Sequence, residues 1–360
     1  MQGVLALFLL ILGAGQLVAV LLRLDGLSLV GGRRWAGLAL ALTLLAAGWL
    51  LFVPAAWLGL AAVPLAVLAV GLLLWGGSII APVIHPNSLY AAEHPAHGGC
   101  QRVAIPDGQH QIPGLLLRPP VNVCNLGAGV CLVPGAGATK TFFKWRLVRL
   151  LLAEGFTVLT IDPPGHGDDR HHPLDYPDCL STVPAAAGYL RQLPGLETVG
   201  VIGISLGGAL AIESLVRQPD TPVAALVVAG TPISLNYTRR LFYIELVNTL
   251  CSRTGMSLFR EMTARQVWQT WKSGGYRSRY NVSELLALLR PVANIGRLRL
   301  PLLLVYSRRD HIAPPEHARC LQQAAPAADL IESARASHVL LTLEPATNRQ
   351  IVAWLRRQLT

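Results

Sequence analysis

Charge is what this sequence has least of. Of its 360 residues, 14% are Asp, Glu, Lys or Arg, against 52% that are hydrophobic. The shortage is local, because no charged side chain occurs from Gly3 to Leu22 or from Trp35 to Gly76. About 20 apolar residues suffice to cross a bilayer core. The first run is therefore expected to be one span, and the longer second run two, turning at Pro54. The expected helices are 3–22, 35–53 and 56–75, with Trp35, Trp49, Trp57 and Trp75 near the interfaces. No basic stretch precedes Gly3 and the apolar run is long, which argues against a cleaved leader. The lack of acidic or basic residues inside the spans argues against a charged transport path.

Cysteine usage excludes more. Six are present, without C-x-x-C or an even framework spacing, so zinc ribbons, dithiol redox motifs and disulfide scaffolds do not fit. They are read as free thiols. No internal repeat or low-complexity tail occurs. His166, Asp168, Asp169, His171 and His172 lie close together, but without helical i, i+4 histidines or thiolates they make a poor metal site, and none is expected.

Orientation follows from the basic loop. Arg23, Arg33 and Arg34, opposed only by Asp25, lie between the first two spans and place that loop in the cytoplasm. A third span then returns the rest of the chain to the cytoplasm. The expected organisation is a multi-pass transmembrane region at 1–76, a proline-bearing linker at 77–100 and a catalytic domain at 101–360.

The chemistry begins at Gly203-Ile204-Ser205-Leu206-Gly207. An apolar strand, Thr198 to Ile202, precedes it and a run of good helix formers, Gly208 to Leu215, follows. A Gly-x-Ser-x-Gly set between strand and helix is a nucleophile elbow, in which a strained turn exposes the serine at a helix N-terminus. The serine needs a base and an orienting acid, in chain order acid then histidine. Asp310 leaves the apolar strand Leu300 to Tyr306, and His338 lies in the loop beyond the short strand Ala328 to Glu332. The oxyanion donors are expected at Leu206 and in the loop Pro134-Gly135-Ala136-Gly137, from Gly135 or Ala136.

These residues resemble the α/β-hydrolase family, in the branch of serine aminopeptidases, monoglyceride lipases and membrane-anchored hydrolases. The likeness runs from about Gln101 to Leu359, carried by Gly203 to Gly207, Asp162 to Gly167, Asp310 and His338. It implies a mostly parallel eight-stranded sheet flanked by helices, a Ser-His-Asp triad and no cofactor. One departure stands out: many relatives carry His-Gly in the oxyanion loop, where this chain has Pro134-Gly135.

The net charge of +10 sits almost wholly in residues 231–300, which hold 11 basic and 3 acidic side chains. The family places an insertion here as a cap, so the resemblance implies a lid. Phe242, Trp268 and Trp271 are candidates to line an acyl pocket, and the arginines suit anionic lipid headgroups. Nucleic acid is not an expected partner. The expected activity is hydrolysis of a carboxylic ester, of a lipid or other amphiphile. Thioesterase, acyltransferase, peptidase and an inactive binding protein remain open on the same residues.

Overall fold

The computed structural model describes residues 2–21, 34–52, 99–108, 110–141, 145–235, 238–251 and 277–360. The expected span 56–75, the Pro54 turn, most of the linker, Trp268 and Trp271 lie outside the described residues, as does the Phe242 side chain. The chain divides into two units between His85 and Pro86.

The first unit holds two apolar helices, α1 (Gln2–Leu21) and α2 (Arg34–Phe52). Small residues let them approach closely. A Cβ at Gly13 would lie 2.9 Å from the Leu45 backbone nitrogen, and one at Gly48 3.0 Å from that of Leu10. Ala6 and Ala41 are fully buried in the seam, and Gln16 Nε2 donates to the Gly37 carbonyl at 3.4 Å. Outward lie Val4, Leu5, Phe8, Leu42, Trp49 and Leu50, all exposed. Gly3–Leu21 is long and apolar enough to cross a membrane, whereas the apolar stretch of α2, Trp35–Leu51, is shorter.

The second unit is built on one eight-stranded sheet. Its strands are β1 (Cys100–Asp107), β2 (His110–Leu117), β3 (Ala128–Val133), β4 (Thr157–Ile161), β5 (Thr198–Ile204), β6 (Ala225–Ala229), β7 (Leu302–Ser307) and β8 (Asp329–Ser333). Their order is β1-β2-β4-β3-β5-β6-β7-β8. The first two pairings are antiparallel and the rest parallel, the mostly parallel eight-stranded sheet that the family resemblance implies. From the sequence, Pro106-Asp107-Gly108 reads as the turn of a hairpin between Arg102 to Ile105 and Gly114 to Arg118, and that expectation changes. Pro106 and Asp107 are not turn residues but the end of β1, paired with Gln111 and His110. An edge strand tolerates a proline without an N–H to give.

β3, β6 and β7 are buried along their whole length, because helices cover both faces and a continuous apolar run is then required. On one face α3 (Trp145–Ala153) and α10 (Pro345–Leu359) supply Leu147, Leu151, Trp354 and Leu355. On the other lie α4 (Thr182–Arg191), α5 (Leu206–Arg217) and α9 (Pro315–Ala324). α7 (Val282–Leu289) and α8 (Pro291–Ile295) add Leu285, Leu286, Leu289 and Ile295 to that same core. α7 starts in a capping box between Asn281 and Glu284. A further helix, α6 (Arg239–Cys251), follows β6.

Strand order reverses at β3, which sits between β4 and β5. In open α/β sheets the loops leaving the carboxyl ends of strands at such a point diverge and open a crevice. The loops after β3 and β5 carry Gly135 and Ser205.

Candidate active site

Ser205 alone connects β5 to α5, with φ 53° and ψ −122°. A non-glycine residue there is strained by about 1–3 kcal/mol and persists only where its surroundings force it. The glycines supply that force. A Cβ at Gly203 would fall 2.5 Å from the Gly208 Cα, and one at Gly207 2.5 Å from the Pro134 carbonyl oxygen. The Ser205 N–H donates to Ala229 O at 2.8 Å, and Thr231 Oγ1 donates to Ser205 O at 2.9 Å. Both backbone polar groups of the strained residue are thereby satisfied.

The structure brings together three residues singled out from the sequence. Ser205 Oγ is 3.0 Å from His338 Nε2, and His338 Nδ1 is 2.8 Å from Asp310 Oδ2. Asp310 is buried, and its other oxygen accepts the N–H groups of Ile312 at 2.8 Å and Ala313 at 2.7 Å. Four acceptor sites on one carboxylate are thus largely used, and the oxygen facing His338 is fixed in direction. Burial favours the neutral imidazole. The adjacent Asp310 charge and hydrogen bond, with a further contribution from Glu245, outweigh it and hold the His338 pKa above its ordinary value.

Two of the expected oxyanion residues, Leu206 and Gly135, lie beside the same serine. Leu206 is the first residue of α5, whose opening N–H groups have no partner within the helix and whose dipole favours negative charge. Gly135 lies against Ser205, since a Cβ there would be 2.8 Å from Ser205 Cβ. The Ala138 N–H closes the turn onto Gly135 O at 3.1 Å. Of the expected substrate residues, Phe242 lies on α6, with only its backbone described.

Three contributors were not visible in the sequence. Lys140 is buried a few residues beyond Gly135. Its Nζ is 2.6 Å from both Asp162 Oδ2 and Asp168 Oδ2, and its N–H donates to Asp162 Oδ1 at 2.6 Å. Burial disfavours the ammonium ion, yet the Asp162 and Asp168 charges and hydrogen bonds hold its pKa above the ordinary lysine value. The loops after β3 and β4 are clamped together by this ion pair, so Asp162 and Asp168 are structural anchors here. Asp169 instead meets His172 Nδ1 at 2.6 Å, and His166 Nδ1 meets Pro164 O at 3.0 Å. Thr231 braces the serine carbonyl, as described. Glu245, on α6, accepts the His338 N–H through Oε1. Nothing local marks these three, because their partners lie 22 to 93 residues away.

Known proteins give this arrangement a family context. A sequence model of the alpha/beta hydrolase family matches residues 132–349. The chain is similar to the pimeloyl-(acyl-carrier protein) methyl ester esterase of Nitrosomonas europaea, at 26% identity over 239 residues. That alignment covers 59% of this chain and 89% of that protein. A shorter likeness links it to the sn-1-specific diacylglycerol lipase of Mus musculus, 31% identical over 123 residues, or 32% of this chain and 39% of that one. Among solved structures, 2,6-dihydroxy-pseudo-oxynicotine hydrolase superposes with a TM-score of 0.54 at 19% identity, over 76% of this chain and 72% of its own. An esterase from Exiguobacterium antarcticum gives 0.53 at 18% identity, over 71% and 100%. At such identities the structures attest the fold.

Proposed function

This chain belongs to the alpha/beta hydrolase family and is a hydrolase, and from that premise we propose that it cleaves carboxylic esters of lipids or other amphiphiles through Ser205, His338 and Asp310. One observation carries the reading: the unbroken relay from Ser205 Oγ through His338 to a buried Asp310. His338 Nε2 takes the proton from Ser205 Oγ as the oxygen attacks the substrate carbonyl carbon. The carbonyl oxygen becomes an oxyanion, held by the N–H of Leu206 and one from Gly135 or Ala136. Asp310 keeps the imidazole in the tautomer that presents Nε2 as acceptor and stabilises the charged ring. As the tetrahedral species collapses, the imidazolium gives its proton to the leaving alcohol and an acyl-serine remains. Water, deprotonated by the same histidine, then attacks the acyl carbon, and the imidazolium returns that proton to Ser205 Oγ as the C–O bond breaks and the carboxylic acid leaves.

The ester preference draws on the relatives, one named for a methyl ester and one for a diacylglycerol. The amphiphile preference draws on the N-terminal helices, whose exposed faces are apolar. We read them as part of a multi-pass anchor of three spans, with membrane lipids as neighbours and the catalytic domain on the cytoplasmic side. The segment between β6 and β7, rich in arginine, is read as a cap over the acyl site. Cysteine-accessibility labelling from each side of sealed vesicles tests the topology, and protection of Cys124 from the outside is the expected result.

The activity is tested by a fluorophosphonate probe on the detergent-solubilised protein, followed by a panel of esters of graded chain length. Wild type should label and Ser205→Ala should not. Equal labelling of both would end the assignment of Ser205, and cleavage restricted to short soluble esters would end the amphiphile preference.

A further inference from the structure

α6 is joined to the site by one polar face. Glu245, Asn248 and Thr249 stand at i, i+3 and i+4 and so point the same way. Glu245 Oε1 accepts the His338 backbone N–H. Thr249 Oγ1 and Ser337 Oγ share a hydrogen bond of 2.8 Å, and Asn248 Nδ2 meets His311 Nδ1 at 3.1 Å. The loops carrying the base and the acid are therefore held by the same helix. On its other side Tyr243 and Val247 are exposed.

A buried carboxylate is costly unless paired. Glu245 is 4% exposed, and among the described residues its Oε2 makes no hydrogen bond, lying 3.5 Å from His311 Nδ1. Such a group contributes little as a structural tie, since a neutral acceptor would hold the same N–H without the desolvation cost. What a charge adds is a field at the imidazole next to it. We propose that Glu245 is a positioning residue for His338, fixing its backbone and stabilising its protonated ring. The proposal rests on the reading of Ser205, His338 and Asp310 given above.

Glu245 acts alongside other titrating groups. Asp310 faces His338 from the loop after β7, and His311 of the same loop lies 3.5 Å from Glu245 Oε2. His317, on α9, lies near Asp310, and burial lowers its pKa despite that neighbour. Tyr306 is fully buried beneath, donating to Thr231 O at 2.6 Å, with its pKa raised by burial and by Asp310. The Glu245 charge adds to that of Asp310 in favouring imidazolium, the form that exists after proton transfer from Ser205.

The test is the pH dependence of kcat/KM for a short, water-soluble p-nitrophenyl ester, on the full-length solubilised protein. Glu245→Gln keeps an acceptor for the His338 N–H and removes the charge. It is expected to move the acid limb of the profile to lower pH and to lower the plateau about threefold, with KM little changed. Glu245→Ala also strands a buried N–H and is expected to lower kcat about 5- to 100-fold. Recovery of most of that loss in Glu245→Gln separates the bond from the charge. If Glu245→Ala does not fold, the isosteric Glu245→Gln profile decides alone. An unshifted acid limb and an unchanged plateau in Glu245→Gln, with Ser205→Ala inactive, overturn the inference and leave the triad standing. Full hydrolysis by Ser205→Ala overturns both.

Discussion

The two halves of this site are held by different physics. On the serine side the constraint is steric: Gly203 and Gly207 leave no room for a Cβ, and Ser205 is pressed into a positive φ between β5 and α5. On the histidine side it is polar. His338 sits in a loop whose position depends on Asp310, Glu245 and the Thr249–Ser337 hydrogen bond. The serine is placed by residues that cannot be larger, and the histidine by residues that must carry particular atoms. The first kind of constraint belongs to a continuous pentapeptide. The second is assembled from β7, α6 and the loop after β8, far apart in the chain.

The sharpest way to break the comparison is to remove charge on the polar side without changing shape. Asp310→Asn keeps the volume but loses the carboxylate that directs the ring, and kcat should fall by about 10⁴. The pH profile gives the sign. In the proposed mechanism neutral imidazole is the base, so kcat/KM rises with pH through the His338 pKa, which Asp310 holds above its ordinary value of about 6.5. Asp310→Asn should shift whatever activity remains to lower pH. A variant within tenfold of wild type across the profile would mean that Asp310 does not orient the base.

Next in size is the Lys140 clamp beside the Gly135 loop, a polar device set within the steric half. Lys140→Met leaves Asp162 buried with its charge uncompensated, although two backbone N–H groups still reach it. Breaking a buried pair in this way costs roughly 3–5 kcal/mol, measurable as a fall in denaturation midpoint at constant slope. Lys140→Met with Asp162→Asn should recover part of that loss, because the stranded charge is gone. Additive losses in the double variant would show that the two side chains are not coupled. Gly207→Ala tests the steric half directly. Its Cβ would meet two backbone carbonyl oxygens at 2.5 Å, and a forced shift of that kind costs about 1–3 kcal/mol. Gly188→Ala, where a Cβ meets nothing, is the control and should be neutral or slightly stabilising by helix propensity.

The same contrast explains what could be read from the sequence. The elbow is legible because its glycines, serine, strand and helix are contiguous, and apolar runs such as Leu300 to Tyr306 announce buried parallel strands, here Leu302–Ser307. Asp310 and His338 were legible from their order and their places beyond strand ends. Lys140 and Glu245 were not. Each looks like an ordinary surface charge until the fold buries it against a partner 22 or 93 residues away. Pro106 and Asp107 looked like a turn because proline and aspartate favour turns. Pairing with β2 overrode that preference at an edge strand.

The smallest expected effect separates position from charge on the histidine side. Thr249 Oγ1 and Ser337 Oγ form a buried hydrogen bond between neutral groups, worth about 0.5–1.5 kcal/mol net. Thr249→Val keeps the shape of the side chain and removes the bond, loosening the loop one residue before His338. It should lower kcat/KM by about 2- to 12-fold. No charge is lost, so the acid limb should stay where it is in wild type. If Thr249→Val moved the limb as far as Glu245→Gln does, displacement of the loop alone would account for both. The histidine side would then be set, like the serine side, by where its backbone lies and not by the charges around it.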